Sequence, residues 1–463
     1  MSSYSTTGKG SSTAKLQSRE RFATGLGVLM ATLGSAVGLG NIWKFPYLTG
    51  NNGGAAFLVI YLVCTLLVGL PIMIAEQMLG RKGRGDAVTV LQRLAPKQLW
   101  WVIGAGGILA SFLIMAFYSE VAGWVFAYIF KSISGSILST SPEVTSAAFG
   151  SLISDPIQSL IWQWVVLALT CAIILLGVKK GIEGTTKRLM PLLFLLLVVV
   201  GIRSLTLPGA AQGLEFLFKP DFSKITASVF LTAMGLAFFK LSIGMGCMLT
   251  YGGYFDDSEN IPATATRVVL ADLAVSMLAG IAIFPAVFAF GFKPESGPSL
   301  LFITAPAVFA SMPLGNIFMV IFFVLTAVAS IGAQLSLLEV IVAYLTNHLN
   351  FSRSKATLIT LLTLAVVGST AALSNSTLAN FKLFGMTPFD LYDYVSSNLL
   401  LPLGGFFLAI FAGWVWKYPK VKEALTNNGT INNEKLVRVI FLVLSFVTPL
   451  LVLIILLNGL KLF

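Results

Sequence analysis

Histidine, cysteine and charge are all scarce in this 463-residue chain, and each scarcity removes a class of function. The single histidine, His348, stands at the end of an apolar run as a helix-end residue, which leaves no histidine pair for a metal or a proton relay. The three cysteines, Cys64, Cys171 and Cys247, each lie inside an apolar run with no zinc-ligand or disulfide-framework spacing. No H-E-x-x-H, G-x-S-x-G or Walker A pattern occurs, so an enzyme is not expected. Charged residues are 11% of the chain and hydrophobic ones 56%, with a mean hydropathy of +0.89. That is too little charge to wet the surface of a soluble domain this long, and it places the chain in the membrane class.

What charge there is, net +11, falls in short gaps between apolar runs: Arg81, Lys82 and Arg84; Lys179, Lys180, Lys187 and Arg188; Arg353 and Lys355; Lys417, Lys420 and Lys422. Basic gaps alternating with poorer ones follow the positive-inside rule, which puts the amino terminus in the cytoplasm and argues against nucleic acid as a partner. Residues 1–18 lack the apolar core of a secretory signal and read as a disordered cytoplasmic tail; residues 19–463 read as one transmembrane domain. A spanning helix takes about 20 apolar residues. Eleven runs qualify, near 22–49, 54–80, 99–131, 159–178, 188–206, 226–252, 262–292, 314–348, 356–374, 386–416 and 436–459. An odd count puts the carboxyl terminus outside. The segments 208–224 and 293–313 read as external loops carrying short helices.

Two runs differ from the others. The first is interrupted by glycine-rich residues 34–41 and the sixth by residues 242–246. Each glycine costs about 1 kcal/mol in a helix interior relative to alanine. Grouped at mid-membrane they mark either close helix packing or two broken helices. Breaks five spans apart are the pattern of an inverted-repeat transporter, and unwound backbone at that depth must line a cavity.

The segments 35–46 (SAVGLGNIWKFP), 52–57 (NGGAAF), 69–80 (GLPIMIAEQMLG) and 238–246 (FFKLSIGMG) make the chain resemble bacterial members of the neurotransmitter:sodium symporter family. The resemblance implies an all-α polytopic protein of the LeuT-type fold in the plasma membrane, a 5+5 inverted repeat with spans 1 and 6 broken, plus an eleventh span. The family's usual twelfth span is missing. It also implies alternating-access symport of a neutral L-amino acid. The substrate carboxylate would meet the amides at Leu39 and Gly40 and the Tyr118 hydroxyl. Its ammonium would meet the carbonyls of Ala36 and Phe239 and the Ser242 hydroxyl, and its side chain Ile114, Phe239, Met245 and Leu337. An uncharged pocket selects apolar side chains. The outer gate carries over to Lys44 and Asp393. The inner-gate arginine matches Arg19, whose usual acidic partner position holds Asn347, with Tyr254 a substitute contact.

The chain departs from the family at the sodium ligands. Asn41 is retained at the first site, but span six offers Lys240 and span seven Asp272; at the second site span eight offers Gly332 and Ala333, which have no side-chain oxygen. A hard cation needs oxygen ligands. The expectation is therefore no sodium and no other cofactor, with the proton as coupling ion and Lys240 as its carrier. Asp272 would be the counter-ion, and the ammonium a tethered cation for the substrate carboxylate. Coupling to sodium after all, uncoupled exchange, and a nontransporting amino-acid sensor are the alternatives. Glu76 matches a family glutamate that ties helices together, Glu120 could face a water cavity, and the glycosylation pattern at Asn428 falls in a cytoplasmic loop as a coincidence.

Overall fold

A computed structural model describes residues 20–291 and 300–459; the tail 1–18 and Arg19 lie outside them. The chain is all-helical. Nine helices among the described residues are long and apolar enough to cross a membrane. They are α3 (Ala55–Gly83), α5 (Trp101–Ile133), α7 (Pro156–Leu175), α8 (Val178–Leu205), α12 (Ile261–Ala289), α14 (Gly315–Asn347), α15 (Arg353–Asn375), α16 (Pro388–Leu425) and α17 (Glu434–Leu457). A tenth crossing is the pair α1 (Gly25–Ala36) and α2 (Gly40–Asn51), bent by 50°. The sixth apolar run is divided into α10 (Ala227–Lys240) and α11 (Cys247–Gly253), and residues 241–246 between them are not helical. Shorter helices are α4 (Ala87–Leu94), α6 (Pro142–Ser154), α9 (Ala210–Phe218) and α13 (Thr304–Ala310). The last two sit in the segments expected to be external loops.

Local sequence explains several helix starts. Thr24, Asp86, Asp155, Thr226, Asn260 and Ser352 each accept a hydrogen bond from a first-turn amide, at the head of α1, α4, α7, α10, α12 and α15. Where boundaries depart from the apolar runs, wide turns are responsible. Helix α8 begins at Val178 rather than near 188 because Val178–Glu183 forms a π-helical turn whose Lys179 and Lys180 are exposed. The Thr65–Gly69 π turn in α3 absorbs the amide missing at Pro71.

Helix α1 packs on α8, α12 and α14, and α14 lies along α5. Small residues set the spacing: a Cβ on Gly332 of α14 would sit 2.6 Å from the Gly34 carbonyl oxygen of α1. Large apolar side chains are exposed in stripes along single faces, as Val59, Leu62, Val63 and Leu66 on α3 and Leu358, Leu362 and Val366 on α15. Such faces suit acyl chains, as a multi-pass membrane protein requires.

Candidate functional site

Both breaks converge on one cavity. The α1/α2 break at residues 37–39 keeps Gly34, Ser35 and Ala36 helical, a shorter interruption than the glycine pattern suggests. The α10/α11 break is held by backbone that only glycine supplies cheaply: Gly244 and Gly246 both have φ of 79°. A Cβ on Gly244 would meet the Leu401 carbonyl oxygen at 2.3 Å. Ser242 adopts the left-handed region with φ 52°, a cost of about 1–2 kcal/mol for an L-residue. Its hydroxyl donates to the Ser35 carbonyl at 2.7 Å, joining the two breaks. Buried Glu76 of α3 accepts from the Gly244 amide at 2.6 Å, and Ser111 of α5 donates to the Met245 carbonyl at 2.7 Å. The unwound segment is thus pinned from two sides.

The walls of the cavity are made by Ser35, Ala36, Gly38, Gly40, Ile114, Tyr118, Phe239, Lys240, Ser242, Met245, Ala333 and Leu337. Nearly every residue expected around a substrate lies here. Leu39 is the exception as a wall residue, yet its amide donates to the Tyr118 hydroxyl at 2.9 Å, which leaves the phenolic proton for another acceptor. Ser35, Gly38 and Ala333 are additions. Ala333, expected only as part of a degenerate cation site, lines the cavity itself.

Lys240 ends α10 with its methylenes against the cavity and its ammonium turned away from it. Nζ stands 3.0 Å from Asp272 Oδ2 and donates to Tyr61 at 2.9 Å and to Ser276. The rings of Phe45 and Tyr61 flank it at 4.9 and 4.8 Å. Asn41 Nδ2 donates to Asp272 Oδ1 at 2.7 Å, and the Tyr61 hydroxyl donates to Oδ2 at 3.4 Å. Asp272 is therefore satisfied by donors on every side. Asn41 Oδ1 accepts from the Gly38 amide at 3.2 Å. The oxygens of Asp272, Tyr61 and Ser276 are thus the ones that hold the Lys240 ammonium. At the other expected cation site, Gly332 has no room for a side chain, and the flanking hydroxyls of Ser330 and Ser336 bond back to carbonyls of their own helix.

Outside the cavity Lys44 lies 3.9 Å from Asp393 Oδ1 and 4.1 Å from the centre of the Phe239 ring, so the expected outer pair is brought together over a cavity wall. On the inner side the expected pairing rests on a residue outside the described ones. Arg19 is not among the described residues, Asn347 is exposed, and Tyr254 donates to Glu339 Oε1 at 2.6 Å. Glu339, fully buried in α14, pairs with Arg353 at 2.6 Å, and Arg353 reaches Glu20 at 2.9 Å. Beside it Glu183 of α8 accepts from the Ala23 amide at 2.6 Å and from Thr24 at 3.1 Å, tying down the start of α1. Sequence alone does not identify Glu339 and Arg353 as a pair, although a carboxylate inside span eight is itself a signal. Glu120 is buried and accepts from Trp124 Nε1 at 2.5 Å on its own helix. His348 follows α14, exposed and stacked on Tyr344.

The model of the sodium:neurotransmitter symporter family matches residues 19–145 and 152–463. An uncharacterized sodium-dependent transporter, YhdH, of Bacillus subtilis is 39% identical over 95% of this chain and 97% of its own length. An uncharacterized sodium-dependent transporter of Haemophilus influenzae is 34% identical over 97% of this chain and 100% of its own. Among solved structures, MhsT in complex with L-phenylalanine superposes with a TM-score of 0.88 at 42% identity, covering 95% of this chain and 100% of that one.

Proposed function

The chain belongs to the sodium:neurotransmitter symporter family, a family of transporters and not of enzymes, and on that premise we propose that it carries a neutral, apolar L-amino acid by alternating access. The observation that carries this reading is the cavity between the two helix breaks, uncharged at its Ile114, Phe239, Met245 and Leu337 wall. MhsT is solved in complex with L-phenylalanine, and a similar apolar class suits this wall. In this reading α1/α2 and α10/α11 are both broken spans, which gives eleven crossings in a 5+5 inverted repeat plus one. The amino terminus is cytoplasmic, and the end of α17 lies outside. The carboxylate is taken by the Leu39 and Gly40 amides and the Tyr118 hydroxyl. The Ser242 hydroxyl and the Ala36 and Phe239 carbonyls take the ammonium. Lys44 with Asp393 closes the outside; Arg353 with Glu339 and Glu20 closes the inside.

Transport is sodium-independent and coupled to the proton in this proposal. Lys240 occupies the place of a cation with a group fixed to the chain, and a sodium ion beside that ammonium would be repelled strongly in a medium of low dielectric. The lysine is the group that can load and release a proton, with Asp272 stabilising its charged form. Its ammonium is aimed at Asp272 rather than into the cavity, so it acts on the substrate carboxylate through the field it sets up and not by direct contact. The bacterial relatives are named sodium-dependent transporters, which favours a second reading, sodium coupling through other ligands. Uptake of an amino-acid panel into proteoliposomes, with sodium and pH gradients imposed independently, separates the two. Accumulation driven by an acid-outside gradient in choline medium is expected. Strict dependence on sodium, with no substrate-linked proton movement, overturns the proposal.

A further inference from the structure

A second cavity, about 280 Å³ between α3, α9 and α12, lies on the far side of the Lys240–Asp272 pair. Leu58, Val59 and Leu62 of α3, Leu217 and Phe218 of α9 and Met277 of α12 form apolar walls, and its polar side chains are Tyr61 and Ser276. Those two hydroxyls hold the Lys240 ammonium. The pair is therefore a partition between two chambers: the lysine stem faces the first cavity and its hydroxyl partners face the second.

We propose that this second cavity binds one acyl chain of a bilayer lipid, which enters from the membrane, ends against Tyr61 and Ser276 and excludes water from that side of the ion pair. Three observations select this occupant. The mouth is continuous with the lipid-facing stripe of α3, since Val59 and Leu62 are 43% and 42% exposed and continue into Val63 and Leu66 at 42% each. Apart from Tyr61 and Ser276 the lining side chains offer no polar partner, and apolar cavities do not hold water. The floor hydroxyls are already engaged: Ser276 donates to the Asp272 carbonyl at 2.8 Å and accepts from Asn41 at 3.2 Å as well as from Lys240, and Tyr61 donates to Asp272. Water entering there would gain few hydrogen bonds, whereas a hydrocarbon chain loses none. With the chamber filled, water reaches Lys240 only by way of the substrate cavity. That last consequence rests on the proton-coupling reading; the lipid site does not.

The test uses the full-length protein in vesicles containing a phospholipid with a diazirine midway along one acyl chain. After photolysis and peptide mapping, adducts on residues 58–62 and on Met277 should exceed by several-fold those on the α15 stripe of Leu358, Leu362 and Val366. Met277→Trp fills the chamber and should remove the excess. Met277→Cys gives an independent measurement: a lipophilic N-alkylmaleimide should label it, and a hydrophilic, charged thiosulfonate should not. Equal adduct yields on α3 and α15, or ready labelling of that cysteine by the charged reagent, which would mean a water-filled chamber, overturns the proposal. Neither readout involves uptake, so each stands whether or not transport is coupled to protons.

Discussion

Lys240 and Asp272 face each other across 3.0 Å at the meeting of α10 and α12, and neither side chain reaches solvent. Removing one member leaves the other charged and buried, at a cost of about 3–5 kcal/mol, whereas replacing both with neutral groups is often close to neutral. Lys240→Met and Asp272→Asn should each lower the melting temperature in detergent, and the double variant should recover most of that loss. Acid-driven accumulation should remain absent in Lys240→Met and in the double variant alike. Recovery of accumulation together with stability would show that the lysine serves only as a structural counter-charge.

Lys240→Thr makes the opposite use of the same pair. Without the ammonium, Asp272, Asn41, Tyr61 and the new hydroxyl form an oxygen-rich set of the kind that the family places at its first cation site. Uptake by this variant should become dependent on sodium, read as the ratio of initial rates in sodium and choline media at fixed pH. A ratio that stays at one would mean that the remaining groups cannot hold the ion.

Gly332→Ser is expected to fail where simple restoration of a ligand would succeed. Its Cβ would stand 2.6 Å from the Gly34 carbonyl oxygen, a backbone atom, so α1 and α14 must separate to admit it. Overpacking of this kind costs about 1–3 kcal/mol. A lower melting temperature with no gain in sodium response is the expected outcome, and an unchanged melting temperature would contradict the packing account.

The parts of this site that are local in the chain are legible in the sequence. Glycines at 38, 40, 244 and 246 weaken a helix wherever it sits, and the lysine at 240 is costly in any membrane span. Ile114, Tyr118 and Leu337 have no such mark; an aromatic or aliphatic residue in an apolar helix looks like packing, and only the family resemblance brings them to the cavity. Tyr61 goes unmarked for the same reason. Ser276 carries a usable signal, since it follows Asp272 by four residues and so shares its helix face. Gly332 looks in the sequence like a lost ligand, when its more immediate role is to let two helices touch. Glu20 and Arg353 are 333 positions apart, and no local pattern announces their pairing.

Arg353 supplies the remaining prediction, because it is the hub of the proposed inner closure. It joins Glu339 of α14 to Glu20 before α1 and donates through Nε to the Ile174 carbonyl of α7 at 2.8 Å. Arg353→Ala leaves Glu339 buried with Tyr254 as its remaining donor, and frees Glu20 to a single bond from the Val178 amide. The loss falls on the inward-closed arrangement and much less on an inward-open one, in which these groups meet water, so the population should shift toward inward-open. Cys247 reports this directly, since it begins α11 beside the cavity and is fully buried in the closed arrangement. In a background with Cys64 and Cys171 replaced by serine, a maleimide applied from the cytoplasmic side of inside-out vesicles should label Cys247 several-fold faster in Arg353→Ala than in the parent. Adding the substrate to the parent should slow the labelling, and to the variant should slow it less. Equal labelling rates in both backgrounds would place inner closure elsewhere, with the Glu183 contacts to Ala23 and Thr24 as the next point to break.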